Sequence, residues 1–425
     1  MAASEQEPED EPRGLLATLG PGLITGAADD DPSGIGTYSQ VGAQFGYGLA
    51  WTMVLSFPLM VAIQTVAAEI GRVTGRGIAG NLRRHYPRPL LWSVVALLLV
   101  ANIVNLGADL AAMGAALQLL AGGNPGLYTL GFGVICIILE VSLSYPRYSA
   151  ILKWTTLSLF TYVAVAAVAD IPWAHALRSL VVPGIEWNAA YATAFVAILG
   201  TTISPYLFFW QSSQEVEEQR RRHAKPLYVS PGTAGPELRR IRTDTLTGMA
   251  FSNLVALAIV FATAATLNAH GVTDITTSSQ AAEALRPIAG QFAFALFALG
   301  IIGTGMLAVP VLAGSAAYAV TEMAGVRGSL DARPLDARLF YATIAATTLA
   351  GAGLHAIGID PVRALYWAAV VNGILAAPLM VVMMLIVRNR RAMGALRLPF
   401  FSTLLGWGAT LVMLAASVLF FVFAL

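Results

Sequence analysis

Residues 15–42 read LLATLGPGLITGAADDDPSGIGTYSQVG, an apolar stretch interrupted by three consecutive aspartates, a proline and several glycines. It is long enough to cross a bilayer, which takes about 20 residues. Because proline lacks a backbone donor and clashes with the preceding turn, we expect the helix to open at Pro32. Residues 191–211, YATAFVAILGTTISPYLFFWQ, carry a second such interruption at Pro205. The sequence therefore predicts two membrane helices that are broken in mid-span.

Composition supports a membrane protein. Of 425 residues, 57% are hydrophobic and only 12% are charged, about half the usual charged share of a soluble protein. The net charge of +1 lacks the basic footprint of a nucleic-acid binder. The single cysteine excludes a disulfide framework and a cysteine-based metal site. These figures exclude a cytosolic enzyme and indicate an all-α polytopic membrane protein.

Apolar stretches of about one bilayer crossing follow one another along the chain. We number them as segments one to eleven: roughly 15–45, 49–70, 89–120, 127–145, 150–170, 189–211, 243–267, 288–323, 338–356, 362–387 and 399–424. The hydrophilic stretch 211–243 is predicted to be a solvated loop.

Basic residues fix the expected orientation. If the N-terminus is cytoplasmic and the segments alternate, 22 of the 25 Lys and Arg residues lie inside, and only Arg178, Arg286 and Arg363 lie outside. An excess of cytoplasmic Lys and Arg is the rule for membrane proteins. We therefore expect a bacterial inner-membrane protein with its N-terminus cytoplasmic and its C-terminus outside.

The breaks fall in the first and sixth segments, five crossings apart. Since an odd offset inserts two halves in opposite directions, this predicts the inverted five-plus-five repeat of many secondary transporters. The expected organisation is a disordered cytoplasmic tail (1–14), a first five-helix repeat (15–170), a second, inverted repeat (189–387) and an extra C-terminal transmembrane helix (399–425). The alternative is two ordinary proline kinks.

Acids inside a membrane are costly and are functional by default. Asp31 directly precedes Pro32 and is the best candidate for a cation ligand. Asp29 or Asp30 is expected to line the same vestibule or to cap the second half-helix. Further acids are assigned other roles: solvated or snorkelling positions for Glu69 and Glu322, an ion pair with Arg147 for Glu140, and a possible pore position for Asp109.

Five stretches together resemble the Nramp family of divalent-metal transporters, in the same order and over nearly the whole chain. They are residues 20–51, 69–87 (EIGRVTGRGIAGNLRRHYP), 107–117 (GADLAAMGAAL), 200–212 (GTTISPYLFFWQS) and 297–314 (FALGIIGTGMLAVPVLAG). The resemblance implies a LeuT-type fold of eleven transmembrane helices, with the metal between breaks one and six. It also implies a transporter rather than an enzyme, with no cofactor.

The two family motifs are altered here. Asp-Pro-Gly-Asn becomes Asp31-Pro32-Ser33-Gly34, so the asparagine ligand is replaced by Gly34, which removes an oxygen and leaves space. Met-Pro-His becomes Ser204-Pro205-Tyr206, so the methionine ligand is lost. The expected metal-binding positions, with hard oxygen as the donor, are Asp31, Asp30, Gly34, Ser204 and the backbone near Ala28 and Thr201, with the Thr202 hydroxyl nearby.

Hard oxygen ligands suit Mg²⁺, which keeps several of its waters, whereas thioethers favour transition metals. The substitutions resemble the Nramp-related magnesium transporter branch. The alternative is a degenerate Nramp that still carries Mn²⁺.

The proton route of the family is incomplete in this chain. Tyr206 stands in place of a histidine and Ala112 in place of a glutamate, although Asp109 matches the family's aspartate. This favours uncoupled, potential-driven import of Mg²⁺, and also of Mn²⁺, as a largely hydrated ion. The expected pore or gating positions are Tyr206, Asp109, Thr202, Pro32, Pro205 and Asn372.

Two other functions remain open: a proton-coupled Mn²⁺ or Fe²⁺ symporter, and an ion-coupled carrier of a small organic solute on the same fold. The expected partners are the transported ion and the bilayer, with no nucleic acid and no obligate protein partner.

Overall fold

The computed structural model describes residues 20–142, 160–355, 358 and 360–424, and within them all regular structure is helical. We number the α-helices in chain order: α1 Pro21–Asp29, α2 Pro32–Phe45, α3 Trp51–Thr74, α4 Ile78–His85, α5 Arg88–Ala121, α6 Pro125–Ser142, α7 Phe160–Val168, α8 Trp173–Val181, α9 Ala189–Thr202, α10 Pro205–Arg221, α11 Ala234–Thr266, α12 Ser278–Glu283, α13 Arg286–Ala289, α14 Ala293–Ala324, α15 Arg338–Leu354, α16 Pro361–Arg388, α17 Arg390–Met393 and α18 Phe400–Ala424.

Both predicted breaks are present. Segment one is divided into α1 and α2, and Pro32 is the first residue of α2. Segment six is divided into α9 and α10, and Pro205 is the first residue of α10. Proline is tolerated at a first helical position because the N–H that it lacks would have no partner there. Each proline thus starts the second half of its segment.

Long apolar helices surround the two breaks. Within the described residues, eight helical stretches are long and apolar enough to cross a membrane, including α3, α5, α16 and the joined α9–α10 stretch. Three predicted segments are not among these stretches. Segment one is the broken pair α1 and α2, and segment five is described only from residue 160. Segment nine corresponds to α15, which has 17 residues and is slightly too short. The described helices thus confirm the predicted all-α membrane architecture.

Glycines allow the halves of segment one and segment six to pack closely on neighbouring helices. The backbone of α1 touches α11, where a Cβ added to Gly26 would overlap Gly248. The backbone of α9 touches α16, where a Cβ added to Gly200 would overlap Ala369 and Gly373. These contacts place α1 directly against α11 and α9 directly against α16.

The prediction of a solvated loop over 211–243 is wrong. Helix α10 continues to Arg221 and α11 begins at Ala234, so most of this stretch is helical. Most of its charged side chains are in ion pairs and several are buried, as in the 2.6 Å contact of Arg240 with Glu215. The polar composition of this stretch suggested exposure to solvent. Ion pairs between different helices, which the local sequence does not reveal, allow these charges to be packed inside the protein.

Two acids assigned to solvent are also packed inside the protein. Glu69 is 2% exposed and pairs with Arg242 at 2.8 Å. Glu322 accepts hydrogen bonds from the backbone N–H groups of Gly77 and Gly80, where α4 begins. The expected tail (1–14) and Arg147, the expected partner of Glu140, lie outside the described residues. Glu140 itself is 4% exposed.

Candidate metal site

Asp31 is the N-cap of α2 and lies between the two halves of segment one. Its Oδ1 accepts a hydrogen bond from the backbone N–H of Gly34 at 2.6 Å. Its Oδ2 accepts from Asn105 Nδ2 at 3.0 Å and from the Tyr206 hydroxyl at 3.2 Å. With 2% of its surface exposed, this carboxylate is held in one orientation by three donors. The expectation that Asp29 or Asp30 caps α2 is wrong, because Asp31 itself takes that position.

Tyr206 joins the two breaks. Its hydroxyl lies 3.0 Å from the carbonyl oxygen of Ala28 in α1 and 3.2 Å from Asp31 Oδ2. The side chain is fully buried at the start of α10. Three oxygens of different kinds, a carbonyl, a carboxylate and a phenol, therefore meet where break one faces break six. Oxygen sets of this kind suit hard divalent cations.

A chain of amides connects Asp31 to Asp109. Asn105 Nδ2 donates to Asp31 Oδ2 and also, at 3.2 Å, to Asp109 Oδ2. Asn372 Nδ2 donates to Asn105 Oδ1 at 3.0 Å. Asp109 Oδ1 accepts from the backbone N–H of Ser33 at 3.1 Å, just after the break. The structure therefore brings the predicted Asp31, Asp109 and Asn372 into one buried network. Asp109 and Asp31 are thus neighbouring carboxylates that share one amide donor.

The hydroxyls of break six are used within their own helix. The Ser204 hydroxyl lies within hydrogen-bonding distance of the carbonyl oxygens of Gly200 and Thr201, at 3.0 and 2.9 Å. The Thr202 hydroxyl donates to Ile198 O at 2.9 Å. These oxygens keep lone pairs, but their hydrogens are already engaged.

The space expected beside Gly34 is filled. A Cβ added there would lie 3.2 Å from Thr201 Oγ1, 3.3 Å from the Asp29 carbonyl oxygen and 3.4 Å from the Tyr38 ring. The prediction that loss of the asparagine leaves space is wrong, because Tyr38 and Thr201 pack into that position.

Asp30 does not share the partners of Asp31. The Ser252 hydroxyl of α11 lies 2.7 Å from Asp29 Oδ2 and 3.1 Å from Asp30 Oδ1. Both acids are 1% exposed. The three consecutive aspartates thus face two directions, with Asp31 toward α5 and α10 and the other two toward α11.

The end of the bundle that carries Arg72, Arg220, Arg240 and Arg242, here called the Arg-rich end, is closed by polar contacts. Asp244 of α11 accepts hydrogen bonds from the backbone N–H groups of Gly20, Gly22 and Leu23, at 2.8–3.1 Å. Three donors at the start of α1 are thus satisfied by one carboxylate. Each helix begins with such unpaired N–H groups, so this cap ties α1 to α11.

The opposite end holds a cavity of about 590 Å³. It is lined by side chains of α2, α9 and α16 and of the stretch before α12, including Gln40, Thr193, Asp274 and Tyr366. Asp31 is not part of its wall. This cavity, here called the open vestibule, stops short of the buried carboxylate of Asp31.

Three polar partners of the site were not predicted from the sequence: Asn105, Ser252 and Asp244. Asn105 had a usable signal, because it lies four residues before Asp109 and so on the same face of one helix. Ser252 and Asp244 pair with residues more than 200 positions away, which no local pattern indicates. Among the described residues, no three His, Cys, Asp or Glu side chains converge on one point. A metal here would need backbone, hydroxyl or water oxygens in addition to carboxylate.

Comparison with known proteins agrees with this arrangement. A family model described as "Natural resistance-associated macrophage protein-like", Nramp, matches residues 22–423. The chain therefore belongs to the Nramp family and is an integral membrane protein.

Two relatives in sequence are both named "Divalent metal cation transporter MntH". The first, from Klebsiella pneumoniae (strain 342), is 27% identical over 92% of this chain and 90% of its own length. The second, from Aeromonas hydrophila, is 28% identical over 68% of this chain and 70% of its own length. Because the family's named members are transporters, the prediction that this chain is not an enzyme is confirmed.

Two solved structures share the fold. The Eremococcus coleocola manganese transporter, in complex with an aromatic bis-isothiourea compound, aligns with a TM-score of 0.73 at 17% identity, covering 97% of this chain and 88% of that one. Mhp1, a nucleobase-cation-symport-1 family transporter, aligns with a TM-score of 0.57 at 12% identity, covering 96% and 93%. These likenesses confirm the predicted fold class, an all-α LeuT-type bundle with helices one and six broken.

Proposed function

We propose that this chain carries divalent metal cations across the membrane by alternating access, with Mg²⁺ as a substrate and Mn²⁺ also accepted. The observation that carries the proposal is the junction of the two breaks, where the Tyr206 hydroxyl lies within hydrogen-bonding distance of both Ala28 O and Asp31 Oδ2. An ion entering there would displace the tyrosine hydrogen bonds and meet carboxylate and carbonyl oxygens. The names of the MntH relatives support a divalent metal as the substrate.

The preference for Mg²⁺ rests on the donors at the junction. The metal-binding positions that we propose are Asp31 as the charged ligand, Ala28 and Thr201 as neutral oxygens, and Ser204 where the family has a methionine. Thioether sulfur would favour transition metals, whereas a small set of hard oxygens leaves an ion that dehydrates reluctantly with several of its waters.

Import needs no coupled proton in this proposal. With the Arg-rich end cytoplasmic, the open vestibule faces outward and a divalent ion moves toward a negative interior. It gains about 4.6 kcal/mol per 100 mV, twice the value for a single charge. Opening of the Arg-rich end would require Asp244 to release the start of α1.

A second candidate function is proton-coupled Mn²⁺ symport, and one observation favours it. Asp31 and Asp109 are two buried carboxylates that both accept from Asn105 Nδ2. Such an arrangement provides a second acid to which a proton can pass when a cation binds Asp31. A carrier of an organic anion is less favoured, since the buried aspartates of break one would repel a carboxylate.

The deciding experiment is metal influx into proteoliposomes that contain a pH-sensitive dye, with potassium and valinomycin setting the voltage. We expect Mg²⁺ and Mn²⁺ to enter in response to an inside-negative potential, without acidifying the lumen beyond metal-loaded empty liposomes. Metal-dependent proton entry would instead support the symporter and assign Asp109 to the proton. Absence of any divalent influx would refute both versions.

A further inference from the structure

The contact between α1 and α11 brings a second pair of acids onto a polar side chain. Gly26 and Gly248 lie backbone against backbone because neither has a side chain. One turn further along, the two helices are still side by side. Ser252 of α11 therefore lies next to Asp29 and Asp30 at the end of α1.

Only one oxygen of each of these two carboxylates has a hydrogen-bond partner. The Ser252 hydroxyl has one hydrogen, so it can donate to either Asp29 Oδ2 or Asp30 Oδ1, but not fully to both. Asp29 Oδ1 and Asp30 Oδ2 have no hydrogen-bond partner. Because each carboxylate is 1% exposed, two acceptor oxygens are withdrawn from water without compensation, which is costly.

No basic side chain neutralises this pair. Among the ion pairs of the described residues, none involves Asp29 or Asp30, whereas Glu69 and Glu215, which are also buried, each hold an arginine. An isolated buried charge is unstable unless it is paired or bound to a metal. Two adjacent carboxylates match the charge of one divalent cation.

A buried tyrosine from α2 provides an independent indication of a missing ligand. Tyr38 is fully buried, yet its hydroxyl has no hydrogen-bond partner. Its ring packs beside Gly34, next to the carbonyl oxygen of Asp29. Side chains on a helix lean toward its N-terminus, so the Tyr38 side chain leans toward the break that carries the aspartates.

We propose that Asp29, Asp30, Ser252 and Tyr38 form a second binding site for a hard divalent cation, separate from the site at Asp31. Its ligands would be Asp29 Oδ1, Asp30 Oδ2, the lone pairs of the Ser252 and Tyr38 hydroxyls, and water. That the bound ion is a divalent cation rests on the proposed function. The ligands of the second site do not include Asp31 or the side chains that hydrogen-bond to it. A cation held there would repel one bound at Asp31 and so favour its release.

The test counts ions on the full chain in lipid nanodiscs, using the electron paramagnetic resonance signal of free Mn²⁺ and competition by Mg²⁺. We expect wild type to bind two ions per chain. We expect Asp31→Ala to keep one, the double variant Asp29→Asn with Asp30→Asn to keep one, and the combination of all three changes to bind none. Loss of all binding in Asp31→Ala, or two ions retained by the double variant, would overturn the second site.

A milder variant guards against misfolding. Ser252→Ala removes one hydroxyl from the second site and is expected to raise the Kd of one of the two ions by about tenfold. Thr247→Ala, which removes a hydroxyl from the same helix outside the site, is the matched control and should bind as wild type. Unchanged affinities in Ser252→Ala would contradict the proposal.

The two proposals fail differently. A wild-type chain that binds two ions but carries neither across the membrane would refute the proposed function and keep the second site. A chain that transports divalent ions but binds only one would refute the second site alone.

Discussion

The two broken helices open at equivalent prolines but offer different chemistry. Break one carries three aspartates, each no more than 2% exposed. Break six carries no charge. Its Thr202 and Ser204 hydroxyls bond back to carbonyls of α9, and its Tyr206 reaches across to break one.

The difference indicates a division of labour. Break one supplies the charge that makes a cation stable inside the membrane, and break six supplies neutral groups that shape the space around it. Removing charge from break one should therefore abolish transport, whereas changing break six should alter rate and selectivity.

Asp31→Ala should abolish divalent uptake, because it removes the charged ligand at the junction. Uptake into proteoliposomes should fall to that of empty liposomes. Asp31→Asn is the matched variant, since its side-chain oxygen can still cap α2 at the N–H of Gly34. It should fold as wild type, as judged by size-exclusion profile, and still not transport. Near-normal uptake in Asp31→Asn would show that this charge is dispensable.

Tyr206→Phe should reduce the rate of uptake without abolishing it. The change removes the hydroxyl that faces both Ala28 O and Asp31 Oδ2, and a hydrogen bond to a charged group is worth about tenfold. The control is Tyr47→Phe, because the Tyr47 hydroxyl has no hydrogen-bond partner, and it should transport as wild type. A complete loss of uptake in Tyr206→Phe alone would contradict the division of labour.

Ser204→Met should shift selectivity toward Mn²⁺ by a severalfold change in the ratio of Mn²⁺ to Mg²⁺ uptake. A thioether introduced at break six offers a soft ligand that Mg²⁺ does not use. The ratio is measured with both ions in the same vesicles, and Ser204→Ala controls for loss of the hydroxyl. An equal ratio in Ser204→Met and Ser204→Ala would show that a thioether at this position does not determine selectivity.

Gly34→Ala should have the smallest effect, a loss of stability of about 1 kcal/mol. The added methyl would meet Thr201, Asp29 and Tyr38 at 3.2–3.4 Å. Gly131→Ala in α6 is the matched control, since nothing lies within 4 Å of its added Cβ and alanine is the better helix former. Thermal unfolding in detergent should show a lower Tm for Gly34→Ala only. A Tm of Gly34→Ala equal to or above that of wild type would show that there is free space beside Gly34.

Local features of the sequence predicted the architecture well. The prolines, the apolar stretches and the acids at residues 29–31 are visible without knowledge of packing, and the breaks fall at those prolines. The helical structure on either side of residues 222–233 was missed, because a charge such as that of Glu215 in α10 is buried against a partner on another helix, Arg240 of α11.

Site residues could be predicted from the sequence only where they lie within the two proline-containing motifs at the breaks. Asp31 and Tyr206 were identified, and the structure brings them together. The roles of Asn105 and Ser252 depend on which helices are neighbours, and the filled space beside Gly34 depends on the rotamer of Tyr38. These are tertiary properties that a single sequence does not specify.

Inhibition of Mn²⁺ influx by Mg²⁺ tests whether oxygen ligands at the two breaks form a hard-cation site. The assay uses wild-type proteoliposomes at a fixed inside-negative voltage and external Mg²⁺ raised stepwise. We expect Mg²⁺ to halve Mn²⁺ influx at roughly millimolar concentration and itself to enter the vesicles. Mn²⁺ influx that is unaffected by a large excess of Mg²⁺ would contradict it.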